Sequence, residues 1–178
     1  PQVEALADNG GAFRSMALRN TSPAIGQIPE TLCLDTDQRF HYRKDDEFCD
    51  AGAYEFGASL IQAGETSFVQ AEYQIGESAT ELTIEVQRTG GSQGKVEATL
   101  LDMEYGSATP VTDYYEFKQE KLVWHDNETG VKTFTLQPRG DVTEEGDETT
   151  SLSLVSALNG LALGSPSTAK VTIVDDDV

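Results

Sequence analysis

The side chains with the most chemistry in this chain are its carboxylates, and they are grouped. Glu77 follows a strand-like run, and Asp113 precedes a tyrosine. Asp141, Glu144, Glu145, Asp147 and Glu148 crowd one short stretch, and Asp175, Asp176 and Asp177 are consecutive near the end. Oxygen donors without His or Cys among them suit a hard cation. Ca2+ accepts about 6–8 oxygens in flexible geometry, Zn2+ prefers nitrogen and sulfur, and Mg2+ keeps several waters and needs fewer acids. A bare cluster is costly, since like charges about 4 Å apart repel by roughly 1 kcal/mol in water and about 4 kcal/mol at an effective dielectric near 20. Lys170 is the only Lys or Arg between Asp141 and Val178, so a divalent cation is the better counter-charge. The acids exceed one calcium shell, so two or more ions sharing ligands are expected. The alternative is that these are solvated charges on an acidic protein.

Whether the acids meet depends on the elements that carry them. From about residue 66, apolar and polar residues alternate in short runs, which puts alternate side chains on one face of a strand. Leu82, Ile84 and Val86 form one such set, followed by Val96, Ala98 and Leu100; Leu122 and Trp124; Phe134 and Leu136; Leu152 and Leu154; and Val171 and Ile173. With the run over residues 68–75 this predicts seven strands, separated by polar or Gly-rich turns such as Thr89-Gly90-Gly91-Ser92-Gln93-Gly94 and Asp126-Asn127-Glu128-Thr129-Gly130. No segment has a helical period. The expectation is an all-β, seven-stranded antiparallel sandwich, with a small barrel as the alternative. If each strand reverses direction, successive connections alternate between two ends. One end then collects Glu77, Asp113, the 141–148 stretch and Asp175 to Asp177, while the other keeps only Asp126 and Glu128.

Composition narrows the partners. The 178 residues hold 12 Lys and Arg against 31 Asp and Glu, a net charge of −19. Twelve scattered cations on that background cannot form a phosphate-binding face, which excludes nucleic acid and disfavours anionic membrane surfaces. No apolar stretch approaches the roughly 20 residues that cross a bilayer, so direct membrane insertion is not expected. A chain that opens on Pro1 and not Met reads as a piece of a longer protein.

Residues 1–60 have a different texture. Turn signals are dense, as in Asn9-Gly10-Gly11, Ser22-Pro23, Ile28-Pro29 and Gly52, and apolar residues come singly or in pairs, which suits a covering segment. Cys33 and Cys49 could close one loop as a disulfide, which would imply an oxidising compartment, or remain as two buried thiols. Ala7-Asp8-Asn9-Gly10-Gly11, Met16-Ala17-Leu18, Ser22-Pro23-Ala24-Ile25, Asp37-Gln38-Arg39 and Cys49-Asp50-Ala51-Gly52-Ala53-Tyr54-Glu55 together resemble the closing segment of bacterial surface proteins built on a right-handed parallel β-helix. The resemblance implies a loop-rich cap whose coils are not part of this chain.

The second unit, residues 66–178, carries another likeness. Tyr73-Gln74-Ile75-Gly76-Glu77-Ser78, Gln87-Arg88-Thr89-Gly90-Gly91, Gly106-Ser107-Ala108-Thr109 leading to Asp113-Tyr114, Glu145-Gly146-Asp147-Glu148 and Val171-Thr172-Ile173-Val174-Asp175-Asp176-Asp177 resemble a Calx-beta domain. That family comprises Ig-like, calcium-binding sandwiches. Carried over position by position, the resemblance implies Ca2+ ligands at Glu77, Asp113, Asp141, Glu145, Glu148, Asp175, Asp176 and Asp177, with the Thr143 carbonyl as a backbone ligand. Gly140 stands where the family often has the first of two aspartates, so one ligand is missing and an ion site is lost or weakened.

Catalysis is not expected. His41 and His125 lie in different segments without a nucleophile pattern beside them. A glycosidase pair would need two acids in unlike environments within a groove of sugar-stacking aromatics. Trp124, alternating with Leu122, reads as core. The expected protein is a non-catalytic module of a large bacterial surface or secreted protein, with neighbouring domains of the parent chain as partners and a cell-surface protein or glycan as the adhesion target. A calcium-independent carbohydrate- or protein-binding sandwich is the alternative.

Overall fold

The computed structural model describes residues 2–44, 47–157 and 160–177; the side chains of Ser156 and Ala157 are not described. Pro1 and Val178, the outer bounds of the two expected units, lie outside the described residues. Among those residues there is no α-helix, only one 3-10 turn at Glu30–Leu32.

In the N-terminal segment the short strands β1 (Ile28–Pro29) and β2 (Phe48–Cys49) pair antiparallel, and Cys33 is disulfide-bonded to Cys49. Beside the buried Leu18, Ala24, Tyr42 and Cys49, its interior holds several charged side chains. Asp37 accepts hydrogen bonds from the Arg39 guanidinium and from the Glu55 N–H, and the Arg43 guanidinium meets Glu55 at 2.9 Å and the Asp50 carbonyl at 2.5 Å. Among the described residues these buried charges therefore have partners, which a segment with few apolar residues needs in order to hold a shape.

The rest is a sandwich of two sheets. The strands are β3 (Glu65–Phe68), β4 (Glu72–Gly76), β5 (Leu82–Thr89), β6 (Val96–Asp102), β7 (Gln119–Trp124), β8 (Gly130–Leu136), β9 (Glu148–Ala157), β10 (Ala162–Leu163) and β11 (Thr168–Val174). One sheet runs β10-β3-β5-β8 and the other β4-β11-β9-β6-β7. The expected alternation forms the core: Ile84, Val86, Val96, Leu100, Trp124, Leu152 and Val171 are fully buried between the sheets. Trp124 donates its indole N–H to the Gly130 carbonyl at 3.1 Å, so its one polar atom is satisfied.

The all-β sandwich stands, with two refinements. The run expected as one strand over residues 68–75 is broken at Val69-Gln70-Ala71. β3 belongs to one sheet and β4 to the other, so a single stretch stitches the two together. The pairing is also not wholly antiparallel, because β4 lies parallel to β11 and β10 parallel to β3. The parallel β4–β11 register, with Gly76 opposite Val174, delivers Glu77 directly beside Asp175.

The N-terminal segment docks on the end of the sandwich where Asp126 lies. The Tyr42 hydroxyl donates to Asp126 at 2.9 Å, and the Gly94 N–H donates to the same carboxylate at 2.6 Å. Asp35 accepts from Lys44 Nζ at 2.6 Å and from the Lys95 N–H at 2.8 Å. Burial works against the ionised Asp35, yet these donors hold it below the usual carboxylate range. Asp126, one of the two acids expected at this end, thus serves as the fastening point of the joint.

Candidate metal centre

At the opposite end the acids from distant stretches meet. Glu77, at the end of β4, comes together with Asp175 and Asp177, just beyond β11; ligand oxygens of the three lie within 4.8 Å of one another. Asp113, in the β6–β7 connection, comes together with Glu145 and Glu148, at the start of β9, within the same limit.

Backbone structure fixes both groups. Pairing of Ile173 with Glu148 sets the start of β9 beside the end of β11. The Glu77 N–H donates to the Val174 carbonyl at 2.9 Å. The β6–β7 connection lies on β9 through Ala108 N–H to Thr149 carbonyl, 2.9 Å. Gly106 permits this approach, because a Cβ there would stand 1.8 Å from the Thr149 oxygen. Asp113 is held within its loop by the Thr109 N–H, which donates to Oδ2 at 2.5 Å. The two groups touch each other: the Glu145 N–H donates to Asp175 Oδ2 at 2.8 Å.

The electrostatics are those of a site short of positive charge. Burial, then the charges of Asp177 and Asp175, push the Glu77 carboxyl up to about 7. Glu148 is raised as well, by burial and by the hydrogen bond it shares with Asp113, with Glu145 and Glu77 adding repulsion. Among the described residues no N–H or O–H donates to the buried Glu77 Oε1 or Asp177 Oδ2, and the hydrogen bond that Glu77 shares with Asp177 exists only while Glu77 holds a proton. A buried carboxylate oxygen left unpaired is expensive. An all-oxygen donor set whose residues carry two such buried oxygens fits a hard divalent cation, and Ca2+ best, since its shell is large and irregular.

Two expected side-chain ligands, Asp141 and Asp176, stand outside both groups. Asp141 accepts the Thr143 N–H at 2.7 Å in a turn of its own, and this bond holds the Asp141 carboxyl low. Asp176 is exposed and accepts the Ser78 hydroxyl. Gly140 packs against the Glu77 backbone: a Cβ there would lie 3.0 Å from the Glu77 oxygen and 3.2 Å from the Ser78 nitrogen. The residue in place of the expected aspartate thus lets the 139–147 connection close on the turn that carries Glu77. Sequence reasoning missed Arg139, whose guanidinium reaches into the Asp113 loop.

A shallow groove elsewhere, lined by Gln70, Glu72, Gln74, Lys170 and their neighbours, has Tyr73 as its aromatic. Tyr73 is buried, with its hydroxyl tied to the Glu85 backbone, and offers no open ring to a sugar.

Residues 62–177 match the family model described as the Calx-beta domain, a family of non-catalytic modules. Among solved structures, the "Apo-form Calx CBD1 domain" is 24% identical with a TM-score of 0.59, over 64% of this chain and 97% of that one. The "calcium binding domain CBD12 of CALX1.1" is 24% identical with a TM-score of 0.58, over 64% of this chain and 45% of that one. The "Calx CBD2 domain" is 19% identical with a TM-score of 0.56, over 66% of this chain and 91% of that one. At these identities the likeness establishes the fold. No curated protein sequence matches significantly.

Proposed function

The chain belongs to the Calx-beta family, and from that premise we propose that it is a non-catalytic calcium-binding module in which two adjoining carboxylate triads hold Ca2+ at one end of the sandwich. Glu77, Asp175 and Asp177 form the inner position, and Asp113, Glu145 and Glu148 the outer one. The observation that carries this reading is the pair of buried carboxylate oxygens on Glu77 and Asp177 that no donor among the described residues reaches. Bound ions would fasten the start of β9 and the end of β11 to the two loops, making the end of the domain rigid.

The Cys33–Cys49 disulfide supports an oxidising location outside the cytoplasm. The module is proposed to belong to a bacterial surface or secreted protein and to serve adhesion, with neighbouring domains as its partners and a surface protein or glycan as the target. The N-terminal segment is proposed to be the cap of a parallel β-helix; the exposed apolar side chains of Phe13, Leu32 and Leu34 support a segment with surface made to be covered.

Calorimetric titration of chelator-treated protein with CaCl2 and then MgCl2 tests the metal reading. Calcium uptake is expected at or below millimolar concentration, with magnesium about an order of magnitude weaker. Glu77→Gln combined with Asp177→Asn should abolish the inner-site heat. No uptake by the unaltered protein at millimolar calcium overturns the proposal.

A further inference from the structure

The loop that carries Asp113 is held from outside by one cation. Arg139 follows β8 and makes three contacts with that loop. Its N–H donates to the Asp113 carbonyl at 2.8 Å, its Nη1 donates to the Val111 carbonyl at 2.5 Å, and its guanidinium lies 4.8 Å from the centre of the Tyr115 ring. From within, the Tyr114 hydroxyl donates to Asp102 at 2.6 Å and anchors the residue next to Asp113. Val111 itself has φ +77°, a left-handed conformation that a β-branched residue enters only when its surroundings impose it. The Arg139 bond to the Val111 carbonyl is one such constraint.

We propose that Arg139 is a positioning residue for the outer calcium site. Through Val111 and Tyr115 it keeps the Asp113 carboxylate facing Glu145 and Glu148. A planar guanidinium can stack on a ring and donate along its edge at the same time, which an ammonium cannot. This inference rests on the calcium reading above. It also makes a prediction of opposite sign to simple electrostatics: removing a positive charge near an acidic cluster should tighten cation binding, whereas removing a clamp should weaken it.

The test is a residue-resolved NMR titration of the full chain with CaCl2, following the Asp113 amide for the outer site and the Asp177 amide for the inner one. In Arg139→Ala the calcium midpoint at Asp113 should rise by about tenfold to a hundredfold, the usual range for losing a supporting group around a metal ligand, while that at Asp177 stays put. Arg139→Lys, which keeps the charge and serves if the alanine variant is poorly folded, should fail to restore it. In calcium-free protein, amide exchange over residues 109–115 should quicken in both variants. A midpoint at Asp113 that is unchanged or lowered, one restored by lysine, or equal shifts at both amides overturns the positioning role. If the unaltered protein shows no midpoint at either amide, the calcium reading itself fails.

Discussion

Arg88→Met should lower the stability of the chain by about 3–5 kcal/mol, read as a shifted midpoint in chemical denaturation. Arg88 is 1% exposed and lies at the end of β5. Its guanidinium donates to five backbone carbonyls: Ala63 at 2.9 Å, His125 at 3.3 Å, Glu128 at 2.9 Å, Gln93 at 2.9 Å and Gly94 at 3.2 Å. Methionine fills much of the volume but leaves those acceptors unpaired, and an unsatisfied buried group costs about 1–3 kcal/mol. Part of the loss is offset because the buried cation is itself costly: burial pulls the Arg88 pKa down against the favourable charges of Asp126 and Glu128. Lysine has three donors and should recover only part of the stability. The same carbonyls shape the turns on which the N-terminal segment rests, so faster proteolysis of residues 1–60 should accompany the shift. An unchanged midpoint would mean that water replaces the guanidinium at little cost.

Calcium should stabilise the protein by about 5 kcal/mol. An ion bound only by the folded state adds about 2.7 kcal/mol at a hundredfold excess over its Kd, and two positions are proposed. For a chain of this size that corresponds to a rise of about 10–20 °C in Tm, checked by scanning calorimetry with calcium and with chelator. The pH dependence seen without metal should largely disappear when calcium is bound. Burial raises the folded-state pKa of Glu77 from 4.5 to about 7, so without metal its stabilising proton is fully present below 4.5 and lost as pH rises through about 7. Chelated protein should therefore weaken over that window. With calcium the proton competes with the ion, so the increment from calcium should grow over the same window. Identical scans with calcium and chelator, or equal stabilisation by magnesium, would contradict the proposed site.

Much of this was legible in the sequence because strand periodicity is a local signal. Ile84 and Val86, Val96 and Leu100, and Leu152 and Leu154 alternate with polar neighbours, and all are buried as the pattern requires. The convergence of Glu77 with Asp175 and Asp177 followed from counting chain reversals, although the structure achieves it through a parallel pair, β4 with β11. The break between β3 and β4 was not legible, since Val69-Gln70-Ala71 contains neither Gly nor Pro and the switch of sheets is decided by tertiary packing. Asp141 looked like its neighbours, yet its carboxylate caps its own turn. Arg88 and Arg139 were invisible as hubs, because their partners are backbone carbonyls brought in from other loops and carbonyls leave no trace in composition. Asp126 read only as one of two acids at the other end, and the hydrogen bonds from Tyr42 of the docked segment and from Gly94 reveal its use.

Anomalous diffraction from crystals grown in calcium, recorded at a wavelength where calcium scatters strongly, tests the metal site most directly. Two peaks are predicted, one among Glu77, Asp175 and Asp177 and one among Asp113, Glu145 and Glu148, each with carboxylate oxygens at about 2.3–2.6 Å. Ordered carboxylates in both triads without an anomalous peak at either would contradict it.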